Sequence, residues 1–293
     1  MTQPLEGMLT ALDLTDTGAR TNEDIFTGPS QWMPHGRVFG GQVLAQSIVA
    51  AMRTLPDGRA VHSMHGYFLR PGDVTKPITF SVDRIHDGRS FATRRTQAYQ
   101  DGLPILSMIA SFQDPGSGLE HQQDMPADVP PPEQIASDAE LLAGFEHPVG
   151  RYWRDERPFD LRHIPSPVYV NVEGEHVAHQ AVWFKTFDRL PDDENLHRAA
   201  LAYASDYSIL EPVMRRHGIA WGTPGLKIAS LDHAMWWHRF SRVDDWLLYV
   251  QESPSATGGR GLSLGRIYNR EGVLVANVAQ EGMIRLPNRE DQS

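Results

Sequence analysis

The chain of 293 residues contains no cysteine, which excludes disulfides, thiolate metal ligands and a cysteine nucleophile. The absence of cysteine fits a reducing compartment, although many exported proteins lack cysteine as well. Positive charge is in the minority, because 27 Lys and Arg face 37 Asp and Glu and the net charge is −10. This balance argues against nucleic acid as a partner.

Long apolar runs are absent as well. No segment approaches the roughly 18 consecutive apolar residues that a membrane-spanning helix needs. Residues 1–13 do not show the basic and then apolar pattern of a signal peptide, and the last residues carry no targeting tripeptide. We therefore expect a soluble, cytoplasmic protein without a membrane partner.

Signatures of cofactor chemistry are missing too. The sequence has neither a Walker loop nor a GxGxxG segment followed by an acidic residue, so nucleotide triphosphates and NAD are not expected. His176 and His179 stand near Glu173 and Glu175, but no further group of ligands accompanies them. The sequence therefore predicts no metal and no cofactor. A serine hydrolase of the α/β class is not expected either.

What the chain does contain is a helix followed by a series of strands. The segment GGQVLAQSIVAAMRTL at 40–55 has a broad apolar face and predicts a helix. Segments rich in β-branched and aromatic residues then alternate with turns such as Asp87-Gly88 and Asp101-Gly102. The predicted strands are 61–70, 77–86, 90–100 and 103–113.

The second half repeats this order. A helical pattern covers 195–216, and the predicted strands after it are 226–239, 246–254, 260–270 and 272–284. Between the halves, proline and polar residues predict a linker with a short helix around 133–143. We therefore predict an α+β fold of two helix-on-antiparallel-sheet units, at 1–114 and 161–293, joined by a linker at 115–160.

Several motifs resemble those of a known family. The segments VFGGQVLAQ at 38–46, VHSMHGYFLRPGD at 61–73 and DGRSFATRR at 87–95 resemble the N-terminal half of the acyl-CoA thioesterase II family. Four later segments resemble the C-terminal half of the same family: ASDYSIL at 204–210, SLDHAMWWHR at 230–239, WLLYVQESPSA at 246–256 and GVLVANVAQEG at 272–282. The resemblance implies a double hot-dog fold, hydrolysis of fatty acyl-CoA, and assembly into a homodimer or homotetramer.

The resemblance also implies a catalytic site. In this family an Asp, a Ser or Thr, and a Gln hold a water molecule, and the matching residues are Asp206 in ASDYS, Ser230 in SLDH and Gln280 in VAQEG. Taken singly, each has an ordinary alternative, since Asp in a helix and Gln at a strand end are usually solvated and Ser before a strand usually belongs to a turn. The three motifs together favour the catalytic interpretation, with the C-terminal unit carrying the site.

Substrate contacts are less sharply indicated. The segment SPSATGGR at 253–260 offers hydroxyl, glycine and guanidinium groups to the phosphates of coenzyme A, with Ser255, Gly258 and Arg260 as candidates. A hairpin turn accounts for the same residues without any ligand. Trp236, next to Trp237, is a candidate for lining an acyl tunnel, although aromatic residues at such positions are often plain core.

His62 and His65 are three residues apart in one strand, which predicts opposite faces of the sheet and a structural role for each.

One rival to hydrolysis is hydration of an acyl thioester, which generally needs a carboxylate and a histidine together. The other is a non-catalytic acyl-CoA-binding or regulatory protein of the same fold.

Overall fold

The computed structural model describes residues 1–19 and 22–286. The α-helices are α1 (Gln3–Leu12), α2 (Gly40–Met52), α3 (Asp138–Leu141), α4 (Pro148–Arg151), α5 (Glu194–Ser205) and α6 (Glu211–Arg216). A 3₁₀ turn covers Pro132–Gln134 and a π-helical turn covers Tyr152–Glu156. The strands of the first half are β1 (Thr15–Asp16), β2 (Asp24–Gly28), β3 (Ala60–Phe68), β4 (Ile78–Asp87), β5 (Phe91–Gln100) and β6 (Leu103–Gln113). Those of the second half are β7 (Phe159–Ile164), β8 (His179–Thr186), β9 (Lys227–Ser230), β10 (Asp232–Trp237), β11 (Leu247–Thr257), β12 (Arg260–Asn269) and β13 (Leu274–Arg285).

The strands of both halves form one antiparallel sheet. Their order is β1-β2-β4-β5-β6-β3-β10-β13-β12-β11-β8-β7, and β9 pairs with β13 beside this path. The halves meet where β3 pairs with β10, with His65 opposite Ala234 and Gly66 opposite His233. Main-chain hydrogen bonds therefore continue from one half into the other.

Helices α2 and α5 pack against each other and against the inner face of this sheet. Alanine-rich helical surfaces allow the close approach, and the buried side chains of both helices belong to a single hydrophobic core that spans the two halves. Two buried glutamines of α2 are hydrogen-bonded in this core, since the Nε2 atoms of Gln42 and Gln46 donate to the Pro29 carbonyl over 2.9 and 3.0 Å. Two helices wrapped by one antiparallel sheet form the double hot-dog arrangement, so the predicted fold class is confirmed.

The regular elements of the first half match the sequence prediction closely. The predicted helix at 40–55 corresponds to α2, and the four predicted strands correspond to β3, β4, β5 and β6. The turn Asp101-Gly102 has positive φ at both residues, 50° and 75°, as a tight two-residue hairpin requires. The structure also contains α1, β2, β7 and β8, which the sequence patterns do not predict.

Two elements predicted for the second half are each divided into two shorter elements in the structure. The single helix predicted at 195–216 is wrong, because α5 ends at Ser205 and α6 begins at Glu211, where Pro212 has no N–H to continue the helical ladder. The strand predicted at 226–239 is likewise two strands, since β9 ends at Ser230 and β10 begins at Asp232. Both interruptions lie beside candidate site residues.

The predicted linker at 115–160 contains short helical turns and, at its end, the first two residues of β7. It is tied to the second half by side-chain contacts, for example where Gln122 Nε2 donates to the Gly272 carbonyl over 2.8 Å and Trp183 Nε1 donates to the Pro130 carbonyl over 2.9 Å. Within it, Asp138 is buried and contacts Arg157 and His163. The segment therefore packs on the sheet rather than extending from it.

The prediction that His62 and His65 lie on opposite faces is wrong. A β-bulge in β3 places two residues opposite one of β6, so that Val61 and Met64 both point into the core. His62 therefore shares the outer face with His65. There, His62 Nε2 lies 2.8 Å from Ser111 Oγ, and the His65 ring packs edge-on against Trp236.

Candidate functional site

Asp206, Ser230 and Gln280 converge on one place in the structure. Asp206 caps the C-terminus of α5, Ser230 is the last residue of β9, and Gln280 lies within β13. Gln280 Nε2 donates to Asp206 Oδ1 over 3.0 Å and to Ser230 Oγ over 2.9 Å. Ser230 Oγ donates to Asp206 Oδ1 over a longer 3.4 Å. Three segments distant in sequence thus contribute one hydrogen-bonded cluster.

Helix α2 of the first half completes the site. The backbone N–H of Gly41, in the first turn of α2, donates to the Asp206 carboxylate. A Cβ added at Gly40 would lie 2.6 Å from Asp206 Oδ2, and one at Gly41 would lie 2.3 Å from the Tyr203 carbonyl oxygen. Both glycines are therefore required for α2 to approach the end of α5 this closely.

The protein environment changes the acidity of Asp206. The residue keeps partial exposure, but its carboxyl group lies among protein atoms, and this burial raises the pKa of Asp206 to about 6. Hydrogen bonds from Gln280, Gly41 and Ser230 oppose the effect of burial without cancelling it. The carboxyl group is thus ionised at neutral pH and has a proton affinity closer to neutrality than an ordinary aspartate.

Two further polar side chains lie behind Gln280. His233 Nδ1 is in short contact with Gln280 Oε1, and His233 Nε2 lies 3.0 Å from Ser205 Oγ. Neither Ser205 nor His233 has any solvent exposure. Burial lowers the pKa of His233 to about 4, so its imidazole is neutral at neutral pH.

The candidate phosphate-binding residues lie at the tip of the β11–β12 hairpin. Gly258 and Gly259 have φ of 59° and 75°, which the turn requires, and Arg260 Nε donates to Glu281 Oε1 over 3.0 Å. A cavity of about 210 Å³ lies beside this hairpin. Its lining comprises Ala178, Val213, Arg216, His217, Ser253, Pro254, Ser255 and Ala256.

Trp236 does not lie with the cluster. In β10, His233, Met235 and Trp237 are buried on the inner face, whereas Trp236 alternates to the outer face, where its ring contacts His65. The side chain therefore lies on the opposite face of the sheet from Asp206 and Gln280. The partly buried aromatic residues beside Asp206 are instead Phe39 and Tyr207, whose rings stack with centroids 4.6 Å apart.

Two sequence patterns are suggestive of other chemistry: the string GLSLG, and His176 and His179 near two glutamates. The string GLSLG at 261–265 has the letters of a GxSxG nucleophile motif, but Ser263 is buried in the middle of β12 rather than exposed on a strand-to-helix turn. Within residues 1–19 and 22–286, no group of three or more His, Asp or Glu side chains is placed to hold a metal ion.

Sequence reasoning does not identify Gly41 as a member of the site, and it gives Asp232-His233, close to Ser230, only a supporting role outside the catalytic residues. The paired glycines at 40 and 41 are visible in the sequence as a helix start, but their contact with Asp206 depends on the packing of α2 against α5. His233 is visible beside Ser230 in the SLDH motif, but its contact with Gln280 depends on the pairing of β10 with β13.

Comparison with known proteins first defines the class of fold and then the family. The structure superposes on a hot-dog-fold protein from Alicyclobacillus acidocaldarius with a TM-score of 0.76, covering 96% of this chain and 98% of that one at 19% identity. It superposes on an acyl-CoA thioesterase II from Mycobacterium marinum with a TM-score of 0.77 and 42% identity, covering 96% of this chain and 98% of that one. The superposition on the Alicyclobacillus protein establishes the hot-dog class of fold.

Sequence comparison gives the family. Residues 154–283 match the acyl-CoA thioesterase family model and residues 28–113 match the model of the acyl-CoA thioesterase N-terminal domain. Acyl-CoA thioesterase 2 of Haemophilus influenzae is 38% identical over 268 residues, which are 89% of this chain and 92% of that protein. The chain belongs to the acyl-CoA thioesterase II family.

Proposed function

We propose that the protein hydrolyses fatty acyl-CoA thioesters to free fatty acid and coenzyme A with a water molecule activated by Asp206, Ser230 and Gln280. The observation that carries this proposal is the convergence of the three side chains, from α5, β9 and β13, within 3.4 Å of one another. Membership in a thioesterase family supports the substrate class.

Asp206 is the general base of the proposed reaction. Its carboxylate accepts a proton from the water as the water attacks the thioester carbonyl, and a pKa of about 6 keeps it ionised at neutral pH while giving it useful basicity. The carbonyl carbon gains the oxygen of the water, and the carbon–sulfur bond then breaks. Because a thiolate is a good leaving group, the proposed site needs no strong general acid.

Ser230 and Gln280 position the water. The Gln280 amide donates to both other side chains, and this fixes the direction in which Asp206 and Ser230 present their oxygens. Holding the water in place lowers the entropic part of the barrier. The N-terminus of α2 faces the carboxylate, and its positive end favours the negative charge that develops on the thioester oxygen.

The proposed positions of the substrate's two ends follow from the surroundings. The acyl chain lies against the partly buried Phe39, Phe68 and Tyr207, which adjoin Asp206 and the start of α2. The coenzyme A phosphates lie at the β11–β12 hairpin near Ser255, Gly258 and Arg260, where Arg260 exchanges its contact with Glu281 for a phosphate.

The rival functions are less well supported by the site. A hydratase needs a carboxylate and a histidine that both reach the substrate, whereas His233 has no exposure and faces the opposite end of the Gln280 amide from Asp206. A binding protein without catalysis does not require a buried, hydrogen-bonded carboxylate of raised pKa.

Assembly and location stay predictions. We propose a homodimer or homotetramer in the cytoplasm, on the basis of the family resemblance and the sequence analysis. Of the helices in the described ranges, none has the length and apolar character to cross a lipid bilayer.

The deciding measurement is release of free thiol from acyl-CoAs of increasing chain length, with wild type and Asp206→Asn side by side. The wild type is expected to hydrolyse the substrates, and the variant to lose roughly 100-fold or more in kcat, the range of general-base catalysis. Unchanged circular dichroism would show that the variant is folded. Tight acyl-CoA binding without hydrolysis by the wild type would favour the binding protein.

A further inference from the structure

A buried chain of hydrogen-bonding groups continues from the proposed site into the core. Starting from Asp206, the hydrogen bonds run through Gln280 and His233 to Ser205, the residue that precedes Asp206 in the chain. Gln280, His233 and Ser205 are each at most 1% exposed. Because buried polar groups are costly unless they are paired, such a chain calls for an explanation beyond packing.

The orientation of the Gln280 amide matters to the proposed chemistry. Its Nε2 group donates to Asp206 Oδ1 and to Ser230 Oγ, which uses both of its N–H bonds. If the amide were rotated by half a turn, its oxygen would face the carboxylate and repel it. The site would then lose both donated hydrogen bonds.

His233 faces the other end of the same amide. Its Nδ1 contacts Gln280 Oε1, an acceptor, so Nδ1 must carry the proton in this arrangement. A neutral imidazole has a single N–H, so Nε2 is then an acceptor. Ser205 Oγ lies 3.0 Å from Nε2 and 2.9 Å from the Ala202 carbonyl oxygen, and donation of its one proton to Nε2 matches the Nδ1–H tautomer. Both ring nitrogens of His233 therefore contact protein atoms, and the ring has no exposure to solvent.

We propose that His233 is a positioning residue that, held in its Nδ1–H tautomer by Ser205, keeps the Gln280 amide turned with its N–H bonds toward Asp206 and Ser230. This inference rests on the proposed hydrolytic function of the cluster. His233 touches neither the water nor the thioester, and it acts through Gln280.

Three substitutions test the proposal in thiol-release kinetics. His233→Leu removes the donor with a similar volume, and kcat is expected to fall about 10- to 100-fold with little change in KM, the loss of a hydrogen bond that orients a group beside a charge. His233→Asn places an amide N–H near the Nδ1 position and is expected to recover most of that loss. His65→Leu makes the same change on the outer face of the sheet and is expected to retain wild-type kcat.

A double substitution separates positioning from general destabilisation. If His233 acts through Gln280, His233→Leu added to Gln280→Ala should cost nothing beyond Gln280→Ala alone. An additive loss would overturn the proposal. If Asp206→Asn and Gln280→Ala themselves keep full activity, the proposed function fails; if they lose it and His233→Leu keeps it, only this inference fails.

The tautomer provides a readout that does not depend on activity. Nitrogen NMR of wild-type protein labelled at its 13 histidines distinguishes Nδ1–H from Nε2–H imidazoles, and the resonance missing in His233→Asn identifies the ring. We expect the Nδ1–H form at pH 8. The Nε2–H form would contradict the proposal.

Discussion

At the scale of single residues, the chemistry of the proposed site depends on how one carboxyl group is surrounded. Asp206 has three hydrogen-bond donors, from Gly41, Ser230 and Gln280, and its pKa is still raised because burial outweighs them. No property of the aspartate itself distinguishes it from the other acidic residues of the chain.

The raised pKa of Asp206 predicts how hydrolysis depends on pH. The base form is the ionised one, so kcat/KM should rise about tenfold per pH unit below the pKa of about 6 and reach a plateau above pH 7. Thiol release measured from pH 4.5 to pH 9 checks this, with stability monitored at each pH. As a control, Asp83→Asn changes a surface ion pair with Arg95 and should keep the same profile. A plateau extending below pH 5 would exclude Asp206 as the base.

At the scale of elements, the site depends on the meeting of two helix ends. The C-terminus of α5 presents Asp206, and the N-terminus of α2 presents the N–H of Gly41. The negative end of one helix and the positive end of the other face the same carboxylate, which brings one half of the chain into the chemistry of the other half.

Gly41→Ala tests this meeting of helices. The added methyl group would lie 2.3 Å from the backbone carbonyl of Tyr203, so α2 must move, and the substitution should destabilise the protein by about 1–3 kcal/mol and lower kcat more than tenfold. Denaturant unfolding and thiol release measure the two effects. Gly118→Ala is the matched control, because nothing lies within 4 Å of its Cβ position. Wild-type stability in Gly41→Ala would disprove the close approach.

At the scale of the whole molecule, the two halves share their sheet and their core. Strands β3 and β10 join the halves through main-chain hydrogen bonds, and the residues of α2 and α5 belong to one hydrophobic cluster. Separating the halves would expose both a long strand edge and the buried faces of two helices.

The shared core predicts cooperative unfolding. A single thermal transition is expected in calorimetry, with equal calorimetric and van't Hoff enthalpies, although the chain contains two similar units. Circular dichroism and tryptophan fluorescence should report the same midpoint. Two resolved transitions, or a stable folded fragment of residues 1–114 alone, would show that the halves fold independently.

Many of the helices and strands could be predicted because the sequence patterns that indicate them involve only neighbouring residues. The apolar face of 40–55 and the strands between Asp-Gly turns depend on side-chain periodicity and on turn geometry, which neighbouring residues determine. The helical pattern of 195–216 does not predict the break between α5 and α6, although Pro212 is a local signal for it. The bulge in β3 depends on its pairing with β6, which local patterns do not encode.

The sequence by itself determined the α+β class and, through its motifs, the family and the three residues of the candidate site. Only the tertiary structure decided that Gly41 donates to Asp206, that His233 backs Gln280 and that Trp236 points away. The physical reason is that contacts between Asp206 and Gly41, or between His233 and Gln280, join segments dozens to more than a hundred residues apart. Such contacts arise from strand pairing and helix packing, which local side-chain patterns do not encode.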